Sequence, residues 1–309
     1  MKHLALTAII LAALFSLSSC QKGIDEIPET TEPIPPAVIQ SIIESPDGKK
    51  LLLTKFEEIN ETYPDLSYSF QLLYNSARGL KEFKEFDENG EESGTLKVSY
   101  DNQKVIMIGT PRDQPWVDSI TLKLAASGWP VSYESIEKED SRLSYSTLET
   151  YTLNTEGYVT AENSSWIEHS DDPLVPLRKE ENRYVYSYEG ENLVKAEVYD
   201  KGSSTIKKVL LFEYDNNKLN LLKNFGDYDG YGFQFLFRKF SKNLLLKVET
   251  WIPDNQYQKL YLTRTANYTY TMNANGLPAE VSATETYHSS SMGPLIDLRY
   301  KMKFTYTEL

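Results

Sequence analysis

Cysteine is almost missing from this chain: Cys20 is the only one in 309 residues. No disulfide can form within the chain, and no thiol is left elsewhere for catalysis or metal binding. Histidine is nearly as scarce, with His3, His169 and His288 the whole supply, and no HExxH or HxH spacing occurs. A Gly-x-Ser-x-Gly elbow, a phosphate-cradling glycine loop and a dinucleotide fingerprint are absent too. Basic charge is short. The formal net charge is −13, spread along the chain, which excludes nucleic acid as a partner because phosphate binding needs a concentrated Lys/Arg surface. Solubility accounts for the acidic balance without a specific cation. Long hydrophobic runs are also wanting, since the one apolar stretch, Leu4 to Leu17, falls short of the roughly 20 residues of a spanning helix.

That stretch is what is present at the start. Lys2 and His3 precede it and Leu17-Ser18-Ser19-Cys20 closes it, the layout of a signal peptide over residues 1–19. The closing residues resemble the bacterial lipobox. The resemblance implies cleavage before Cys20, lipid attached to its sulfur, and a mature charge of −14, which is −13 less the +1 of Lys2. Two or three acyl chains, as such lipoproteins carry, would anchor stably where one is marginal. Gln21 stands where an inner-membrane retention signal has Asp, which favours lipid anchoring to the outer membrane, with the domain facing either the periplasm or the cell surface. Residues 20–36 then read as a lipidated, Pro-rich, acidic linker, because Pro28, Pro33, Pro35 and Pro36 forbid regular structure.

Residues 37–309 read as a single all-β domain. Period-two alternation dominates: Tyr68, Phe70, Leu72 and Tyr74; Tyr184, Tyr186 and Tyr188; Leu210, Phe212 and Tyr214; Phe233, Phe235 and Phe237; Tyr300, Met302, Phe304 and Tyr306. Such alternation marks half-buried strands. Lys50–Tyr63 and Asp118–Ser127 leave room for a short helix and serve equally as strands.

A repeat underlies the alternation. Tyr100, Leu153, Tyr188, Tyr214, Phe240 and Met272 are each followed by four mostly polar residues and then by an apolar one: Val105, Tyr158, Leu193, Leu219, Leu245 and Leu277. Asn, Asp and Gly fill these gaps, so each is expected to be a hairpin turn. Anchors 188, 214 and 240 recur at equal spacing, long enough for two strands and two turns, so the chain is an antiparallel meander of repeated hairpins. Tyr-Asp-Asn-Asn-Lys-Leu at 214–219 and Tyr-Thr-Met-Asn-Ala-Asn-Gly-Leu-Pro at 270–278 resemble the units of YD or Rhs-type repeats, and with the lipobox they resemble a family of Bacteroides-type lipoproteins. The resemblance spans residues 96–309, with Glu189 and Ser241 departing from the motif. It implies a large curled sheet, half-pipe or barrel-like in form, and no activity. Residues 37–95 fit the repeat less regularly and are expected as edge strands or a cap. Lys97, Arg183, Lys195, Lys301 and Lys303 on the outer strand faces speak against a membrane-spanning barrel, where each would cost roughly 2–4 kcal/mol near the midplane.

Chemistry is sparse. His169 lies in Trp166-Ile167-Glu168-His169-Ser170-Asp171-Asp172, but nearness in sequence is not a triad. Gly226-Asp227-Tyr228-Asp229-Gly230-Tyr231-Gly232 and Asp87-Glu88-Asn89-Gly90-Glu91-Glu92 read as turns rather than calcium loops. No pair of carboxylates can be chosen for a glycosidase. The 22 tyrosines suit a packed sheet, while Trp116, Trp129, Trp166 and Trp251 are the better contact-surface candidates. No catalytic residue, metal ligand or cofactor is assigned. The expected role is a non-enzymatic binding module with a glycan or an envelope protein as partner; the alternatives are a glycan or peptidoglycan hydrolase and a structural accessory of an outer-membrane complex.

Overall fold

The computed structural model describes residues 42–76, 78–101, 103–111, 118–139, 142–169, 177–221, 239, 241–254, 259–289 and 293–309. The leader 1–19, Cys20, the linker to Pro36, Trp116, Phe240 and residues 222–238 lie outside them.

Among the described residues there are seventeen strands: β1 (Ile42–Glu44), β2 (Lys50–Asn60), β3 (Tyr68–Tyr74), β4 (Leu80–Phe86), β5 (Glu92–Asp101), β6 (Lys104–Pro111), β7 (Asp118–Leu124), β8 (Pro130–Glu139), β9 (Arg142–Leu153), β10 (Val159–Glu168), β11 (Arg178–Glu189), β12 (Asn192–Asp200), β13 (Ile206–Leu219), β14 (Asn243–Asp254), β15 (Lys259–Met272), β16 (Pro278–Ser289) and β17 (Gly293–Glu308). A 3-10 turn, Pro64–Leu66, joins β2 to β3. From β2 onward each strand pairs antiparallel with its chain neighbours. β17 then returns to β2, from Tyr300 opposite Asn60 to Glu308 opposite Leu51. The meander thus closes into a sixteen-strand barrel. β1 pairs Lys50–Leu52 on the side of β2 away from β17.

The alternation decides which face looks inward. On β5, Leu96 and Val98 are buried while Lys97 between them is exposed, and their partners Phe83 and Met107 are buried too. The buried residues therefore line the lumen. It is tightly packed at its apolar level, where Val105, Met107, Ala196 and Leu277 are 0 % exposed. Burying a Leu, Met or Phe side chain contributes about 1.5–3 kcal/mol, so this face supplies most of the driving force.

Several turns at one end, here the base, share a chemistry. In 75–79, 154–158 and 273–277 the leading Asn75, Asn154 or Asn273 side chain accepts the backbone N–H four residues on, and Asn154 and Asn273 also take the N–H two residues on. Gly157 and Gly276 adopt the left-handed backbone that completes these turns, at φ 89° and 71°. Trp129 seals its own turn against the next: a Cβ on Gly157 would lie 2.4 Å from the indole Nε1.

Three expectations need correction. Asp215–Lys218 is no hairpin, because β13 runs through it to Leu219, with a register break where Asp215 and Leu219 face Leu244 and Asn243. The turn preference of Asp and Asn is spent on a bulge instead, Asp215 Oδ1 accepting the Asn217 N–H at 3.1 Å while residues 216–218 have no strand-pairing partner on β14. Ser241–Leu244 is no hairpin either: its polar side chains are used for tertiary bonds, Ser241 Oγ accepting from the Leu193 N–H at 2.8 Å and Asn192 Nδ2 donating to Asn243 Oδ1 at 3.0 Å. The two motifs flank one connection between β13 and β14. Finally, the stretch expected as an edge or cap holds β2, β3 and β4, which are full staves of the ring. Lys50–Tyr63 and Asp118–Ser127, open as helix or strand, hold β2 and β7.

Candidate functional site

The lumen changes character along its axis, beginning at the base with a seal. Six tyrosines near the ends of odd-numbered strands donate their hydroxyls to backbone carbonyls near the start of the preceding even strand. Tyr74 reaches Leu53 at 2.7 Å, Tyr100 reaches Leu80 at 2.9 Å, and Tyr188 reaches Val159 at 3.0 Å. Tyr214 reaches Leu193 at 2.8 Å, Tyr270 reaches Leu245 at 2.7 Å, and Tyr306 reaches Pro278 at 2.7 Å. Burial pushes the phenols of Tyr74, Tyr100 and Tyr306 far above the ordinary tyrosine range, so they remain donors. The tyrosine of the repeat is thus a latch, and β7 and β9 carry Leu124 and Leu153 in its place.

Above the apolar plug the inward face turns acidic. Glu58, Glu85, Glu137, Glu149, Glu162 and Glu285 are all buried. A buried carboxylate is costly unless it is hydrogen-bonded or protonated, and tyrosines again answer. Tyr68 donates to Glu58 at 2.6 Å, Tyr186 to Glu162 at 2.8 Å, and Tyr151 to Glu149. Glu285 receives four bonds: from Arg264 through Nε at 2.9 Å and through Nη2, from Tyr300 at 3.0 Å and from Tyr287 at 3.2 Å. Desolvation pushes Glu58 up to about 7, with the nearby Glu285 charge adding to the shift and the Tyr68 bond opposing it. Desolvation likewise pushes Glu85 up to about 7 against a bond from Ser93. On the adjoining wall, Tyr145 and Trp166 stack with ring centroids 5.7 Å apart.

Of these carboxylates Glu285 is saturated as an acceptor. A carboxylate has about four acceptor positions, and the Glu285 bonds from Arg264, Tyr287 and Tyr300 occupy four, leaving it no lone pair with which to act as a base or nucleophile. Among the described residues no three His, Cys, Asp or Glu side chains converge as a metal-ligand set.

The outer surface is of opposite polarity. Cross-strand and same-strand ion pairs run over it, including Lys55–Glu57 at 2.8 Å, Lys195–Glu197 at 3.1 Å, Lys247–Glu249 at 2.6 Å and Lys301–Glu61 at 2.6 Å. Lys97 and Lys303 are exposed there, and Arg183 lies 4.5 Å from the Tyr199 ring. A barrel crossing a bilayer carries an apolar band outside and a polar lumen; here most of the large apolar residues are within, with Leu148, Leu211 and Leu246 among the few exposed.

Solved structures share this architecture. A porin-like protein from Bacteroides uniformis superposes with a TM-score of 0.53 at 16 % identity, covering 82 % of this chain and 98 % of that one. A porin-like protein from Bacteroides vulgatus gives 0.50 at 14 % identity, covering 83 % and 99 %. These likenesses establish the fold. No protein-family model matches the chain, and no curated protein matches it in sequence.

Of the residues singled out in sequence, Cys20, Trp116 and the Gly226–Gly232 segment fall outside the described residues. His169 sits outside the lumen wall, its Nε2 2.9 Å from Ser146 Oγ, a serine outside its own segment. His288 bonds Thr265 in the same manner at 3.0 Å. Asp87 organises the β4–β5 turn by accepting the N–H groups of Asn89 and Glu91. Trp129 is committed to its turn, Trp251 bonds Glu249 at 3.1 Å, and only Trp166 stands in the acidic part of the lumen. Sequence reasoning missed the glutamates, though a signal existed: Glu58 follows Phe56, Glu85 follows Phe83, and Glu285 follows Ala283 by two positions, in phase with the buried face.

Proposed function

We propose that this protein is a non-enzymatic binding module of the bacterial envelope, tethered to the outer membrane by lipid on Cys20 and working as a water-soluble barrel rather than as a pore. One observation carries the reading: the polarity of the wall is inverted relative to a transmembrane barrel, with ion pairs outside and a packed apolar plug inside. The charged exterior needs an aqueous neighbour, so membrane attachment falls to the amino-terminal segment, where the lipobox-like residues supply it. The fold is shared with two porin-like Bacteroides proteins, which agrees with an envelope setting. The acidic, aromatic part of the lumen is the surface left for a partner, and saturation of Glu285 favours binding over hydrolysis.

The test joins two measurements. Metabolic labelling with a radioactive fatty acid should mark the wild-type protein and not Cys20→Ala. Reconstituted into planar bilayers, the purified protein should give no stepwise conductance. Stable single-channel currents, or labelling that survives Cys20→Ala, would overturn the reading. Protease shaving of intact cells then tells surface from periplasm.

A further inference from the structure

The latch tyrosines set a common height around the ring, because each ties an odd strand to the same point of the strand before it. Leu53, Leu80 and Leu245 accept the latch on β2, β4 and β14, and Pro130 takes the same place on β8, first after the 125–129 turn as Pro278 is after 273–277. Five positions further along these strands stand Glu58, Glu85, Thr250 and Ser135. All four point inward and are buried, so they are polar members of one level above the apolar plug, where Val198 on β12 and Ala283 on β16 stand as apolar ones.

Three of those polar members carry atoms with no partner: Glu85 Oε2, Ser135 Oγ and Thr250 Oγ1. Ser135 is 1 % exposed, Glu85 6 % and Thr250 7 %. Buried polar atoms are nearly always hydrogen-bonded, so three orphans at one level, on three separate strands, point to something that completes them. A glycine adds to this. Gly94 faces inward from β5 opposite Glu85, its backbone is not left-handed, and a Cβ there would meet only Glu85 Oε2, at 3.7 Å, within 4 Å. Glycine within a strand weakens it and often marks close approach of another group. The next inward positions toward the mouth bring Glu137 on β8, Trp166 on β10 and Glu285 on β16, with Tyr145 stacked on Trp166.

We propose that the mouth half of the lumen is a saccharide chamber, whose floor of Glu85, Ser135 and Thr250 hydrogen-bonds a neutral polyhydroxyl ligand lying against the Trp166–Tyr145 pair. The inference rests on the binding-module reading and names its ligand class. Neutral hydroxyls both donate and accept, as the Ser135 and Thr250 hydroxyls and a carboxyl require, and the apolar face of a sugar ring packs on an aromatic plane as other apolar groups do. An anionic ligand would meet a lumen crowded with carboxyl groups. A cationic ligand would leave the two orphan hydroxyls without need of its charge.

The experiment is calorimetric titration of the detergent-solubilised full-length protein with cellotetraose, xylotetraose, mannotetraose and isomaltotetraose, with spermidine as the cationic probe. At least one neutral tetrasaccharide should bind saturably. Ser135→Ala and Thr250→Val, which delete unpartnered hydroxyls, should each weaken it by about tenfold without lowering the urea midpoint, and Trp166→Ala should weaken it further than Trp166→Phe. Absence of binding by all four sugars overturns the proposal, meaning that the floor holds ordered water alone. Binding of spermidine only overturns the ligand class and leaves the binding module standing. Sugar binding untouched by the three substitutions places the ligand elsewhere and overturns the site. Bilayer conductance or release of shorter sugars would instead sink the underlying function.

Discussion

Arg264 is the charged lumen residue whose loss should be felt most clearly. It holds the buried Glu285 through two nitrogens, and removing one partner of a buried ion pair costs about 3–5 kcal/mol because the other charge is stranded. Arg264→Met should therefore lower unfolding free energy by about that amount in urea titrations. Arg264→Met with Glu285→Gln should recover a large part of it; a double variant no better than the single one would show that packing, not charge, was lost. Glu58 and Glu85 make a second statement. Both rise from 4.5 to about 7 on folding, so between those values the folded chain binds more protons than the unfolded one, and stability falls as pH rises through the window. Each group can withdraw up to about 3 kcal/mol by pH 8 relative to pH 4.5. Urea midpoints should be higher at pH 5 than at pH 8, and Glu85→Gln should flatten the slope. An equal midpoint at both values would mean the carboxyls are solvated.

At the scale of the strand and its turn, the repeat explains more than a turn preference. In Tyr100-Asp101 and Tyr214-Asp215 the aspartate position was read as turn chemistry and the tyrosine as packing, yet each tyrosine also donates to a carbonyl of the strand before it. Tyr74 and Tyr306 play the same part although their surroundings resemble the motif poorly, because the latch needs a phenol only at the right height on an odd strand. The expected turn at Asp215–Lys218 failed for the converse reason. Four turn-forming residues cannot reverse a chain whose flanks continue to pair with Leu244 and Asn243. Each latch should be worth about 1 kcal/mol, the net value of a hydrogen bond. Tyr270→Phe and Tyr306→Phe should each cost that much, and near-additively, since separate carbonyls receive them. The turns give a steeper test: Gly157→Ala combines a left-handed backbone with a Cβ 2.4 Å from Trp129 Nε1 and should cost about 1–3 kcal/mol or more. Most of the loss should persist in Trp129→Ala, Gly157→Ala only if backbone strain, rather than the clash, dominates.

Closure belongs to the whole molecule and was the least legible feature. Alternation and turns show that hairpins follow one another, and those are local facts. Whether the last strand meets the first depends on accumulated twist, tilt and stagger over sixteen strands, none of which a single strand displays. The lumen glutamates were legible only by phase, Glu58 two positions after Phe56 and Glu57 out of step with it, because composition alone reads both as surface carboxylates. At the closing seam Phe304 on β17 meets Phe56 on β2 with ring centroids 5.6 Å apart, and the aromatic run continues through Phe70 to Phe83. Phe304→Ala should cost about 3–5 kcal/mol. How that loss is distributed is the sharper question. In an open sheet β17 would be an edge, and the substitution would let it fray alone, lowering amide protection there while the rest of the sheet kept its own. In a closed ring β17 has neighbours on both sides, so protection should fall by a similar factor across β16, β17, β2 and β3, with a single urea transition shared by tryptophan fluorescence and far-UV circular dichroism. Exchange confined to β17, or two separated transitions, would mean that the seam between β17 and β2 opens independently and that the ring does not unfold as one unit.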